Sequence, residues 1–260
     1  MNNKASAEFW AGMIVVFLST IIILASIGFR SYYEVPNPIK IEVDIEDEKP
    51  SYEYLKSVTV LIEGRAIIDE SFLMSLFSDE FYYEEVGEKT VGWTGTGVVI
   101  KEDYEYTYIL TNAHVAGKGK QDVSLYIDTG TKKRPAEIVE YHGTLDMAVL
   151  KVKGVLENKR PVEGFNVAKP SDPMYLVGHH LGREYIYGEG VFAGYDGLYD
   201  IIQIPCLYGN SGSGIMNKDG ELVALVFAIS KFDYFSVDVA HAIAVDGESI
   251  KLYLEKLNLI

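Results

Sequence analysis

The stretch PCLYGNSGSGIM, residues 205–216, holds Ser211 and Ser213 two positions apart among glycines. A serine hydroxyl is a weak nucleophile at neutral pH. It needs a base to take its proton, a group to orient that base, and donors for the developing oxyanion. The base is usually a histidine, and the chain has five. His114 lies in YILTNAHVAG, where a β-branched run gives way to small residues. His142 lies in EYHGTLD, the adjacent His179 and His180 form the turn GHHLG, and His241 falls mid-run in DVAHAIAV. Asp146 heads DMAVLKV, where a polar loop enters an apolar strand, a place that suits either an orienting carboxylate or a plain turn residue. Taken singly, each is a weak signal; the order His…Asp…Ser, in TNAHV, LDMAVLKV and GNSGSG, is a stronger one. It differs from the Ser…Asp…His order of α/β-hydrolases, and the G-x-S-x-G elbow of that fold is absent around both serines. His179 and His180 have no carboxylate or thiol at ligand spacing, so no metal and no other cofactor is expected.

The elements that must hold these residues are short and mostly strands. Runs such as SVTVLIEG, GTGVVI, TYILTN, VSLYID, DMAVLKV, MYLVG, YIYGEGVFAG, IIQI, ELVALVFAIS and FSVDVAHAIAV are β-branched or aromatic and separated by turn residues. About a dozen strands without interposed helices indicate an all-β sandwich or a pair of barrels. NKDGEL reads as a hairpin turn. A helix closes the chain, with Asp246 as its cap and Ile250, Leu252, Leu254 and Leu257 as apolar residues for packing.

Composition bounds the rest. The 260 residues suffice for one large or two small domains, and 48% apolar content supports a packed core. A net charge of −15 argues against nucleic acid as a partner. The single cysteine, Cys206, rules out an internal disulfide framework and leaves the redox compartment open. After a short tail (1–8), residues 9–29 (FWAGMIVVFLSTIIILASIGF) carry no charge and would span about 31 Å as a helix, which matches a bilayer core. This run is expected to be a retained transmembrane anchor, with the lipid bilayer as its partner, because it is too long for a signal-peptide core. Residues 30–52 are an acidic, proline-containing linker, and 53–260 form the folded domain.

These motifs together resemble the trypsin-like (chymotrypsin-fold) serine proteases, and within them the HtrA type. The likeness rests on GTGVVI…YILTNAHV, LDMAVLKV, LVGHHLGREYIYGEGVFAG and GNSGSGIMNKDGELVALVFAIS…HAIAVDGESIKLYLEKL, with SLFSDEFYYEEVG similar to an aromatic-rich loop of that family. It runs from about Tyr54 to the end of the chain. The resemblance implies two six-stranded antiparallel β-barrels with a short C-terminal helix. It implies Ser211 as nucleophile, His114 as general acid–base, Asp146 as the orienting carboxylate, and the N–H groups of Gly209 and Ser211 as the oxyanion hole. It places Pro205, Cys206, Val226, Phe227, Ala228 and the strand around His241 at the specificity pocket. That lining implies cleavage after small or medium apolar residues; a histidine at the pocket can instead select Glu or Gln.

Several features depart from the family pattern. Gly212-Ser213-Gly214 stands where HtrA-type enzymes usually have Gly-Gly-Pro, a serine also found there in bacterial glutamyl endopeptidases. Asn210 replaces the aspartate that digestive enzymes use to bind a new amino terminus, so activation by such a cut is not expected. The chain stops just after its closing helix, leaving no room for a PDZ domain. Polypeptides, unfolded or membrane-proximal, are the implied substrates. Trimers are common in the family, so a homo-oligomer is a further expectation, as is a protease domain on the extracytoplasmic side. The competing reading is a pseudoprotease that keeps the fold as a scaffold.

Overall fold

The computed structural model describes residues 49–67, 84–87, 90–234 and 237–260. The expected membrane helix over residues 9–29 and most of SLFSDEFYYEEVG lie outside them. Among the described residues no helix is long and apolar enough to cross a membrane.

A short helix, α1 (Tyr52–Val58), opens the described chain, and Ser51 caps it by accepting from the Tyr54 N–H at 3.1 Å. Seven strands follow: β1 (Thr59–Ile67), β2 (Glu84–Gly87), β3 (Thr90–Glu102), β4 (Tyr106–Thr111), β5 (Ser124–Asp128), β6 (Lys133–Tyr141) and β7 (Ala148–Lys153). Six of them run in the order β1-β5-β6-β7-β4-β3 and close through a β1–β3 pairing, with β2 added to β3. The second barrel is β8 (Pro173–Gly178), β9 (Ile186–Asp196), β10 (Tyr199–Gln203), β11 (Gly214–Met216), β12 (Leu222–Tyr234) and β13 (Val237–Asp246), closed in the order β10-β13-β12-β11-β8-β9. Helix α2 (Gly247–Lys256) ends the fold, with the Asp246 carboxylate accepting from the Ser249 N–H at 2.8 Å, as its sequence anticipated. Of the apolar residues expected to pack there, Ile250 and Leu254 are buried and Leu252 is exposed; Tyr253 takes its place in the core.

Strand side chains alternate between two faces, and here both faces are used. Ile109, Val99 and Leu150 fill the first barrel, while their neighbours Leu110, Val98 and Val149 point the other way. Met174 and Leu176 fill the second barrel, while Tyr175 and Val177 face outward. The outward sets meet in a third apolar cluster together with Leu55 and Val58 of α1 and Ile250, Tyr253 and Leu254 of α2. The strands therefore read as nearly continuous apolar runs, because the outer face of each barrel is buried against the other.

Candidate active site

β4 and β7 run antiparallel with Thr111 opposite Ala148. His114 lies three residues past the end of one strand and Asp146 two before the start of the other, so this register alone brings them side by side. Asn112 fixes the approach by donating from Nδ2 to the Asp146 carbonyl at 2.8 Å. The residues after Thr111 form a single helical turn, closed by Ala116 N–H to Asn112 carbonyl at 3.0 Å. The Asp146 carboxylate takes two contacts from one residue. Oδ1 accepts from the His114 backbone N–H at 3.0 Å, and Oδ2 pairs with His114 Nδ1. Burial raises the Asp146 pKa, but the hydrogen bonds and charge of His114 outweigh it and hold the carboxyl below its ordinary value. A carboxylate on Nδ1 sets the tautomer that leaves Nε2 as the proton-accepting nitrogen.

Ser211 lies between β10 and β11 in a loop held by backbone bonds on both sides. Its carbonyl accepts from the Thr96 N–H of β3 at 2.8 Å, which ties the second barrel to the first. Gly212 N–H donates to the Val226 carbonyl at 2.8 Å, and Ser213 N–H to the Asn210 carbonyl at 2.8 Å. Gly212 has φ +85°, and a Cβ there would collide with the Thr96 carbonyl. Among the described residues, the N–H groups of Gly209 and Ser211 donate to nothing, whereas those of Asn210, Gly212 and Ser213 each meet a carbonyl. The Tyr208 carbonyl accepts from Leu181 N–H at 2.7 Å. The peptide is planar and trans, so the Gly209 N–H points the opposite way.

The support for this loop was not foreseen. Thr96 Oγ1 donates to the Gly209 carbonyl at 2.8 Å and accepts from the His179 N–H at 3.2 Å. Since its one proton is committed, its 3.3 Å contact with His179 Nδ1 has the imidazole as donor. Burial drives the His179 pKa down to about 3, so the ring is neutral, and it packs edge-to-face with Tyr185 at 4.9 Å between ring centres. His180 Nε2 accepts from Asn210 Nδ2 at 2.6 Å. Thus Asn210, fully buried, is anchored within the chain itself. Ser213 is buried too, packed against Gly178, where a Cβ would overlap its hydroxyl. The signal available in the sequence was GTG and GHHLG, both motif-matching segments without an assigned role.

The expected pocket residues divide. Cys206 packs inside the second barrel beside Ile204 and Phe192, and burial pushes its thiol up to about 11. Val226 is buried, with its N–H and carbonyl bonded to Ser213 and Gly212. Phe227 sits at a strand irregularity and packs on Tyr199 at 4.7 Å between ring centres. Pro205 is exposed, Ala228 half-buried, and His241 half-buried opposite Ser230.

Tandem closed barrels of this kind are the architecture of trypsin-like peptidases, and comparison with known proteins agrees. The trypsin-like peptidase domain matches residues 95–225, and the chain belongs to that family. An HtrA-like serine protease of Staphylococcus epidermidis is 31% identical over 174 residues, which cover 58% of this chain and 29% of the relative. One from Staphylococcus aureus is 28% identical over 155 residues, covering 52% and 20%. The chain thus spans less than a third of these relatives. Among solved structures, the HtrA-type protease AlgW with a decapeptide aligns at TM-score 0.58 and 16% identity, over 79% of this chain and 67% of that one. An inactive mutant of Rv3671c from M. tuberculosis aligns at 0.53 and 18%, over 78% and 88%.

Proposed function

We propose that this chain is a serine endopeptidase that uses Ser211 as nucleophile, His114 as general acid–base and Asp146 to orient it. The observation that carries the reading is the pairing of His114 Nδ1 with Asp146 Oδ2, on the barrel tied through Thr96 to the Ser211 loop. His114 Nε2 takes the hydroxyl proton as Ser211 Oγ attacks the scissile carbonyl. The N–H groups of Gly209 and Ser211 receive the oxyanion. Collapse passes the proton to the leaving amine and leaves an acyl-enzyme, and water then repeats the sequence to release the acid. Asp146 stays ionised and stabilises the imidazolium.

Pro205, Val226, Phe227 and Ala228 bring no carboxylate to the expected pocket, which supports cleavage after small or medium apolar residues. The uncharged run over residues 9–29 supports a membrane anchor; the likeness to HtrA-type proteases supports a protease domain outside the cytoplasm and unfolded or membrane-proximal substrates. A homo-oligomer, such as a trimer, belongs to the same reading.

Labelling with a fluorophosphonate tests the chemistry. Ser211→Ala should lose the label and about a millionfold in turnover, while Ser213→Ala keeps most of both. Label surviving Ser211→Ala would overturn the assignment, and a parent protein that takes no label would favour the pseudoprotease. A peptide library cut mainly after Glu would replace the apolar preference with selection through His241.

A further inference from the structure

The loop joining β6 to β7 carries Asp146 near its end, and it is built around an imidazole. His142 Nδ1 accepts from the N–H of Thr144 at 3.2 Å and of Leu145 at 2.9 Å. Residues two and three positions on are the donors, which is the pattern of an Asx turn. The same chain contains such a turn in its usual form: Asp103 Oδ1 accepts from the N–H of Glu105 and Tyr106, each at 2.8 Å. Nδ1 of histidine and Oδ1 of aspartate are both δ atoms on Cγ, so the imidazole replaces the carboxylate without a change in reach. His142 N–H to the Met147 carbonyl at 2.9 Å closes the loop from the backbone side. The ring meets Tyr253 of α2 edge-on at 5.1 Å, and Tyr253 Oη donates to the Glu140 carbonyl at 2.9 Å. From the other side, Lys118 Nζ, just past the turn that carries His114, donates to the His142 carbonyl at 3.1 Å.

We propose that His142 is a positioning residue for Asp146: its neutral imidazole holds the loop that presents the carboxylate to His114, and a proton on Nδ1 releases that loop and stops proteolysis. The inference rests on the orienting role given to Asp146. A protonated Nδ1 would point an N–H at two N–H donors, so both bonds are lost together. The Asp103 turn has no such sensitivity, because its acceptor is a carboxylate that stays ionised across the working range. The groups that act on the ring are Lys118 from the turn after β4 and Tyr253 and Lys256 from α2. Burial first, then the charges of Lys256 and Lys118, lower the His142 pKa, so the ring is neutral at neutral pH and the loop is set. Acidification therefore reaches the Asp146 carboxylate through His142, the turn acceptor.

Turnover of a peptide substrate by the full chain, followed against pH, tests this. In the parent, log kcat should fall on the acid side with a limiting slope one proton steeper than in a variant whose turn acceptor does not titrate. His142→Asn keeps a δ acceptor that does not titrate. It should hold kcat at neutral pH within about threefold and lower the limiting acid slope by one. His142→Phe keeps the ring against Tyr253 but removes the acceptor, and should lower kcat about ten- to a hundredfold with KM little changed. An acid limb in His142→Asn identical to the parent's, or a parental kcat in folded His142→Phe, would overturn the proposal. Should His142→Phe not fold, the slopes of the parent and His142→Asn still decide. Asp146→Asn separates the two levels. If it loses about 10⁴ in kcat while both His142 variants behave like the parent, this proposal alone fails. If it remains active, the orienting role of Asp146 fails and the proposal with it.

Discussion

At position 209 only glycine fits. Its φ is +96°, and a Cβ would overlap the carbonyl of His179 and press on Leu181 N. That angle turns the 208–209 peptide so that its carbonyl meets Leu181 while its N–H stays available. Gly209→Ala should therefore turn this donor aside and lower kcat about 10²- to 10³-fold with a smaller effect on KM, measured by steady-state kinetics; a parental kcat would remove Gly209 from the oxyanion hole. Asp200 poses a different residue-scale question. It points into the second barrel, 2% exposed, and its Oδ1 has no hydrogen-bond partner among the described residues. Burial, and then the nearby Asp246 charge, raise its pKa to about 7. Between the ordinary carboxylate value and about 7 the folded state keeps a proton that the unfolded chain has lost. Stability is thus highest below that window and falls as pH rises through it. Asp200→Asn should raise Tm by about 4 °C or more at pH 8 and by little at pH 4, in thermal scans at both values. An equal shift at the two pH values would contradict this origin.

At the scale of elements, the connection between the barrels does more than span a distance. Lys159 Nζ, from that connection, donates to the carbonyls of Lys56 at 2.9 Å and Thr59 at 2.6 Å and to Tyr185 Oη at 2.9 Å. It thereby satisfies carbonyls at the C-terminus of α1, a seven-residue helix too short to stand without docking. Lys159→Met keeps the apolar stem and removes the donor. It should cost about 2–3 kcal/mol in urea denaturation, and a loss below about 0.5 kcal/mol would show the three bonds to be replaceable by water. Neither this clamp nor α1 was legible in the sequence. YEYLKSV carries two tyrosines and a valine, and its end overlaps the strand-like run SVTVLIEG; it becomes a helix because Ser51 caps it and Leu55 and Val58 pack against both barrels. The strands were legible because β-branched runs between turn residues need only local reading. Asp246 was legible as a cap for the same reason. The neighbours of His114 were not, since the contact with Asp146 comes from a strand register across 32 positions. The order of the motifs reached that pair through resemblance; the residues alone left five histidines open. Thr96 and His179 had no such role in the sequence, because those roles exist only once β3 and the end of β8 lie beside the Ser211 loop.

For the molecule as a whole, the decisive element is the cluster between the barrels. Leu110, Val98 and Val149 from the first barrel and Val177, Leu225 and Val245 from the second share it with both helices. The proposed His–Asp pair belongs to the first barrel and the Ser211 loop to the second, so the same apolar contact that joins the barrels also sets the distance between the reacting groups. A barrel that came loose would expose half of this cluster, which makes separate unfolding costly. Leu254 of α2 is fully buried in it. Leu254→Ala leaves a cavity at the joint and should cost about 2–5 kcal/mol. Its diagnostic consequence is where the loss appears. Trp93, in the first barrel, reports on that barrel by fluorescence, after Trp10→Phe silences the other tryptophan. Fluorophosphonate labelling reports on the joint. In urea the two probes should fall together in the parent and shift together to lower urea in Leu254→Ala, as one cooperative unit requires. Labelling lost well before the Trp93 signal changes would mean that the barrels separate before they unfold, and that the cluster holds the site together without coupling the stability of its two halves.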